Sequence, residues 1–276
     1  MLTVNLTTTS ERLSLCRIAL TSLLMQSRLP DQINLWVSRE PYLSDKGIPD
    51  DETVNRLVMS LPETNRHLIQ IRWTPNTGPY RKLIPALREA GPEDLIVTAD
   101  DDIFYGESWL ASLMAEHDAN PGKVVAGRVR KIRYGLLGKR TSYMHWGLIS
   151  GSVVLSKDYI VTFGGGAVLS KAMFRDQDIY DERFIEIAPR ADDLWYSKLL
   201  TLSGQKVKTV PAAMEELIFM THPHGLAYSN LAIGAGSLWF RAIRRLWVAS
   251  YGALGGAVCG NDYSYRHVNR YFLDKL

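Results

Sequence analysis

The stretch Asp94-Leu95-Ile96-Val97-Thr98-Ala99-Asp100-Asp101-Asp102-Ile103-Phe104-Tyr105 constrains this chain more than any other. A short apolar run ends there in three consecutive aspartates. Apolar runs of this length bounded by turn signals read as buried strands, and strands buried in a parallel sheet carry little charge along their length. The aspartates therefore fall at the carboxyl end of the strand, the edge where open α/β sheets bind ligands. Adjacent carboxylates repel, so at least one is pushed toward its neutral form unless a cation joins them. A hard divalent cation meets that need, since Mg²⁺ and Mn²⁺ both take carboxylates shared with substrate phosphates. The competing reading is a solvated acidic turn, because Asp is common in loops. Three aspartates directly after an apolar strand favour the metal.

The segments on either side repeat a strand–turn–helix order. Leu2 to Leu6 reads as a strand, followed by the polar turn Thr7-Thr8-Thr9-Ser10. Ser10 suits a helix N-cap and Glu11 its first turn. Leu13, Cys16, Leu20, Leu23 and Leu24 then recur at helical spacing, and Ile33 to Val37 is a second strand. This is the βαβ unit of a parallel sheet. A short helix at 50–60 and a strand at Leu68–Trp73 follow. Gly78 and Pro79 open another helix, in whose first turn Arg81 and Lys82 would oppose the helix dipole. Two readings stay open for them: ordinary surface cations, or partners of a diphosphate or carboxylate at the strand ends. Further elements are a helix at 107–117 and strands at Val124–Gly127 and Val207–Val210.

Composition limits the function classes. The 276 residues are 46% hydrophobic and 22% charged, enough for a sizeable core. A net charge of +3 gives no global field toward nucleic acid. Cys16 and Cys259 have no metal-type spacing, which fits a reducing, cytoplasmic compartment. The N-terminal residues lack the basic and apolar regions of a signal peptide. No apolar stretch reaches the ~18 residues needed to span a bilayer.

Several other segments carry chemistry. Between 128 and 140 stand Arg128, Arg130, Lys131, Arg133, Lys139 and Arg140 without one acidic residue. Such a run is usually a solvated face, and beside a nucleotide site it could meet phosphates or an anionic acceptor. Gly164-Gly165-Gly166 lacks the Lys-Ser/Thr ending of a phosphate loop, and reads as a place where backbone approaches a sugar. Asp192 and Asp193 open a helix ended by Gly204. Acidic residues belong at helix starts for the dipole alone, but burial there would raise a carboxylate toward the range of a useful base. His222-Pro223-His224 is by itself a weak metal signal. Residues 231–259 hold Arg241, Arg244 and Arg245 among apolar residues, a pattern for core packing or for contact with an anionic membrane surface.

Taken together, residues 3–12, Gly78-Pro79-Tyr80-Arg81-Lys82, Asp100-Asp101-Asp102, Gly165-Gly166-Ala167 and Asp192-Asp193 resemble the GT-A glycosyltransferases, nearest to bacterial family-2-like enzymes of surface polysaccharide synthesis. The resemblance spans roughly residues 1–224 and implies an α/β, Rossmann-like, mostly parallel central sheet flanked by helices. With no internal repeat or low-complexity linker, one domain over 1–276 is the simplest reading: a nucleotide-sugar half at 1–105, an acceptor half at 106–230, and a helical, aromatic extension at 231–276, which the resemblance does not reach. The triplet matches the family's Asp-x-Asp motif, with Asp102 and Asp100 holding Mn²⁺ or Mg²⁺ and Asp101 assisting. His222 resembles a late metal ligand. Thr7, Thr8, Arg12 and Lys82 would bind the donor, a UDP-sugar foremost. Asp192-Asp193 stands where the family has Glu-Asp, so Asp193 is the expected base of an inverting reaction and Asp192 the second choice. The acceptor would be a glycan or lipid-linked sugar, with no nucleic-acid partner, at a cytoplasmic site with peripheral contact to the inner membrane face. Two other classes compete: a metal-dependent phosphatase or phosphoryl transferase, and a non-catalytic sugar-binding protein on the same scaffold.

Overall fold

The computed structural model describes residues 1–136, 138–221 and 247–274. The readings placed on His222, His224 and 231–246 lie outside the described residues. In chain order the elements are β1 (Leu2–Thr7), α1 (Leu13–Leu24), β2 (Gln32–Val37), α2 (Asp51–Met59), β3 (Ile69–Trp73), α3 (Ile84–Glu89) and β4 (Leu95–Thr98). Then come β5 (Ile103–Tyr105), α4 (Trp109–Ala119), β6 (Val124–Ala126), β7 (Val129–Lys131), β8 (Val154–Leu155), β9 (Tyr159–Val161) and β10 (Ala167–Leu169). The last are α5 (Asp176–Ile179), α6 (Phe184–Ile187), α7 (Asp192–Leu202), β11 (Val207–Thr209), α8 (Pro211–Glu215), β12 (Leu217–Phe219) and α9 (Gly260–Leu273).

An eight-stranded sheet runs in the order β3-β2-β1-β4-β10-β6-β11-β8. β3, β2, β1 and β4 are mutually parallel, and so are β6 and β11. β10 enters antiparallel between β4 and β6, and β8 closes the far edge antiparallel to β11. Val4, Leu6, Ile33, Leu35 and Val97 are fully buried, as strands covered on both faces require. One apolar cluster packs α1, α2 and α4 against the sheet; the other holds α3, α6, α7 and α9. Small ladders outside the main sheet pair β5 with β12 and β7 with β9. No helix among the described residues is long and apolar enough to cross a membrane.

Local details depart from the sequence expectations in two places. Ser10 does not cap α1. A turn in which the Arg12 amide donates to the Thr9 carbonyl (3.0 Å) delays the helix to Leu13, and Arg12 holds the cap position without a side-chain bond to the helix. Glu11 instead meets Lys46 at 2.9 Å. Gly78–Lys82 forms a 3-10 turn, so Arg81 and Lys82 precede α3 rather than opposing its dipole. Both are buried, not surface cations.

Candidate functional site

The carboxyl ends of β1 and β4, the 3-10 turn at Gly78–Lys82 and the start of α7 enclose a cleft of about 360 Å³. Thr7, Thr8, Arg12, Lys82, Asp100, Asp101, Asp102, Asp192 and Asp193 all line it. Residues nearly two hundred positions apart therefore meet as the motif order implied. His222 is outside the described residues.

Each carboxylate of the triplet does something different. Asp101 turns inward and is 3% exposed. It accepts a hydrogen bond from Thr8 Oγ1 at 2.6 Å and pairs with Arg12. Burial pushes its pKa up to about 7; the neighbouring Asp102 and Asp100 add to the rise, and Arg12 and Thr8 hold it back. Asp102 is partly exposed and lies 2.9 Å from Arg12 Nη2. Asp100, a third exposed, accepts from Lys82 Nζ at 2.7 Å. Its amide donates to Tyr105 Oη (2.7 Å), whose hydroxyl donates to the Gly164 carbonyl at 2.8 Å.

Lys82 links the triplet to the second acidic pair. Its buried ammonium lies 3.1 Å from Asp192 Oδ2 as well as 2.7 Å from Asp100. Among the described residues that buried Asp192 oxygen has no polar partner besides Lys82. Burial alone would lower the Lys82 pKa, but Asp100, Asp192 and Asp193 outweigh it and hold the ammonium charged well above its usual range. Asp193 lines the cleft, and its Oδ1 accepts from the Phe163 amide at 2.9 Å. Burial first, then the charge of Asp192, raises Asp193 to about 7; Lys82 and the Phe163 amide oppose the rise. Asp192 is raised as well, chiefly by burial. Arg81 is buried against Asp45 at 2.9 Å and donates to the Thr8 carbonyl at 3.2 Å, which fixes the triplet's neighbours.

The glycine run has a role the sequence reading missed. A Cβ on Gly164 would come 2.0 Å from Asp100 Oδ2, and one on Gly165 would come 2.4 Å from Arg128 Cβ. Gly166 has φ +94°, and a Cβ there would strike Trp109 at 2.6 Å. These glycines make room for the protein's own Asp100, Arg128 and Trp109, where the sequence reading had them admitting a sugar.

For a divalent cation, the described residues offer oxygen donors of the right kind. No group of three or more His, Cys, Asp and Glu side chains among them converges as a complete ligand set. Asp100 and Asp102 nonetheless both reach the cleft, and each is now balanced by a protein cation. Mg²⁺ and Mn²⁺ commonly use one or two carboxylates and complete their shell with phosphates and water, so a two-carboxylate set fits such an ion arriving with a diphosphate.

No family model matches the sequence, and no curated protein does. Solved structures do match by shape. TarS of S. aureus, residues 1–349 in complex with UDP-GlcNAc, superposes with a TM-score of 0.53 at 14% identity, covering 90% of this chain and 65% of that one. A longer S. aureus TarS structure gives a TM-score of 0.52 at 16% identity, covering 91% of this chain and 39% of that one. The chain thus spans less than two thirds of the length of the TarS structures it matches. Likeness at this level, together with the strand order, bears on the fold: the chain has the GT-A fold, a Rossmann-like and mostly parallel sheet flanked by helices.

Proposed function

We propose that the protein is a metal-dependent, inverting glycosyltransferase. It would move a sugar from a nucleoside-diphosphate donor, a UDP-sugar foremost, to a hydroxyl of a glycan or lipid-linked acceptor. The observation that carries this reading is Asp193. It is a carboxylate raised to about 7, held by a backbone amide, and it lines the same cleft as Asp100 and Asp102. A hydroxyl is a weak nucleophile, and a positioned base with a pKa near the working pH is what activates it. A UDP-GlcNAc complex of the TarS neighbour supports the choice of donor.

In this reading Asp193 accepts the acceptor's proton as the new bond forms at the anomeric carbon, opposite the departing diphosphate. Asp192 and Lys82 fix the charge around that base. Thr7, Thr8 and Arg12 line the donor end, and Asp101 holds Thr8 and Arg12 in place. Asp102 and Asp100 would hold Mn²⁺ or Mg²⁺, which supplies neutralisation of the leaving diphosphate. One domain serves both substrates, in bacterial surface polysaccharide synthesis, at the cytoplasmic face of a membrane touched through 231–259.

The test is a thermal-shift screen of nucleotide sugars with Mn²⁺ and with chelator, followed by label transfer to an acceptor library. A donor present at about a hundred times its Kd stabilises by about 2.7 kcal/mol and raises the melting temperature by about 5 °C or more. Phosphate release from a plain phosphomonoester, with no sugar transfer, would replace this reading by phosphatase chemistry.

A further inference from the structure

Arg128 and Arg130 line the cleft and, among the described residues, make no close ion pair with a carboxylate. Arg128 directly precedes β7 and Arg130 lies within it; residues two apart on extended backbone share a face, about 7 Å apart. Both line the cleft with Asp193. The Arg128 guanidinium lies 5.1 Å over the Phe219 ring and that of Arg130 lies 5.1 Å over the Tyr143 ring. Arg130 Nη1 donates to the Trp146 carbonyl at 2.7 Å, and its buried Nε has no hydrogen-bond partner among the described residues. Arg12, Arg81 and Lys82 each hold a carboxylate. Among the described residues neither Arg128 nor Arg130 does. Burial, then repulsion from Arg130, holds the Arg128 pKa below its ordinary value. Asp193 and Asp100 attract Arg128 only at longer range and do not offset this. Two partly buried like charges with no paired carboxylate among the described residues break a local rule, and such breaks concentrate at functional sites.

Their placement ties them to the Asp193 flank of the cleft. The Arg128 carbonyl accepts from the Thr162 amide at 3.0 Å, and the next amide, Phe163, is the one that holds Asp193. The missing side chain of Gly165 lets Arg128 sit this close. β7 pairs with β9 outside the main sheet, whereas the donor-end residues Thr8 and Asp102 hang from β1 and β4.

We infer that Arg128 and Arg130 form an anion subsite for the acceptor: a sugar carrying a carboxylate or phosphate near the hydroxyl that reacts. This rests on the glycosyltransferase reading for the word acceptor. The planar guanidinium matches both anions two hydrogen bonds at a time. Phe219, which backs Arg128 and is exposed, offers an apolar face to a sugar ring, while the buried Tyr143 holds Arg130 in place.

The test is calorimetric titration of the whole protein, with and without UDP, using methyl glucuronide, glucose 6-phosphate and methyl glucoside as probes. Wild type is compared with Arg128→Gln and with Arg128→Gln/Arg130→Gln. At least one anionic probe should bind about tenfold or more tighter than the neutral glucoside, the scale of one charge-assisted contact. Which anionic probe binds better identifies the class. Arg128→Gln, which breaks no side-chain hydrogen bond among the described residues, should remove most of the preference and leave UDP affinity unchanged, and Arg128→Lys should keep only part of it. Equal binding of charged and neutral probes to wild type overturns the inference. So does a variant that loses UDP affinity as much as probe affinity, because the pair would then serve the donor diphosphate. If wild type binds no nucleotide sugar yet prefers the anionic probes, the glycosyltransferase reading fails and the anion subsite stands.

Discussion

Asp193→Asn should make the protein more stable while making it inactive. The carboxyl rises from an ordinary 3.8 to about 7 in the fold. A folded-state pKa above the unfolded one means that folding takes up a proton between those pH values. The stability of the neutral carboxyl is therefore present at low pH and is lost as pH climbs toward 7. A rise from 3.8 to about 7 corresponds to at most about 4 kcal/mol. Asp193 lines the cleft, and Asp192 and Lys82 readjust, so we expect about 1–2 kcal/mol to be recovered by the neutral amide. Asn keeps an oxygen for the Phe163 amide, so the geometry survives. At pH 8 the variant should melt about 2–4 °C higher than wild type. The gap should shrink on acidification and close below about pH 4. The assay is thermal melting of both proteins from pH 4 to 8.5, beside donor affinity and sugar transfer. Transfer should fall about a hundredfold or more with donor affinity unchanged. A variant that melts lower than wild type at every pH, or a gap that ignores pH, would refute the raised carboxyl. Full transfer by Asp193→Asn with loss in Asp192→Asn would move the base to its neighbour.

Gly164→Ala places a methyl 2.0 Å from Asp100 Oδ2 and must displace that carboxylate from Lys82; Mn²⁺-dependent nucleotide binding, followed by calorimetry, should weaken about tenfold or more, the worth of one charge-assisted contact. Asp102→Ala should make nucleotide affinity the same in Mn²⁺ and in chelator, and equal affinities already in wild type would remove the metal from the reading. Tyr105→Phe leaves the buried Gly164 carbonyl without its donor and should lower the melting temperature by about 2–4 °C, from about 1–2 kcal/mol. Carbonate-resistant membrane association on fractionation would show that 231–259 is more than a peripheral contact.

Much of the fold was readable because its signals are local. The β1-α1-β2 unit, the acidic end of β4 and the acidic start of α7 all rest on periodicity and strand-end chemistry. The insertion of β10 antiparallel between β4 and β6 was not readable, because a three-residue strand carries no period and its place is set by tertiary pairing. Ser10 was misread as a cap because the competing demand on the turn is Arg12 reaching Asp101, a contact 89 residues away in sequence. Of the two readings left open for Arg81 and Lys82, the carboxylate one holds, and the sequence could not decide it because their partners Asp45, Asp100 and Asp192 come from three separate segments. The glycine run was visible, but its neighbours Asp100, Arg128 and Trp109 were not, so its purpose was assigned to a ligand.

The carboxylate of Asp262 joins distant parts of the chain. It accepts from Ser142 Oγ at 2.7 Å, the Tyr143 amide at 2.7 Å and the Val258 amide at 2.9 Å, while Asn261 beside it lines the cleft. Tyr143, which backs Arg130, is therefore fastened by a residue made more than a hundred positions later. During synthesis the donor end, built from residues 1–105, can assemble early, since chains fold from the N-terminal side as they emerge. The Tyr143 wall waits for Asp262. The wall that the proposed reading gives to the acceptor therefore takes its final form only after Gly260–Leu273 has been made.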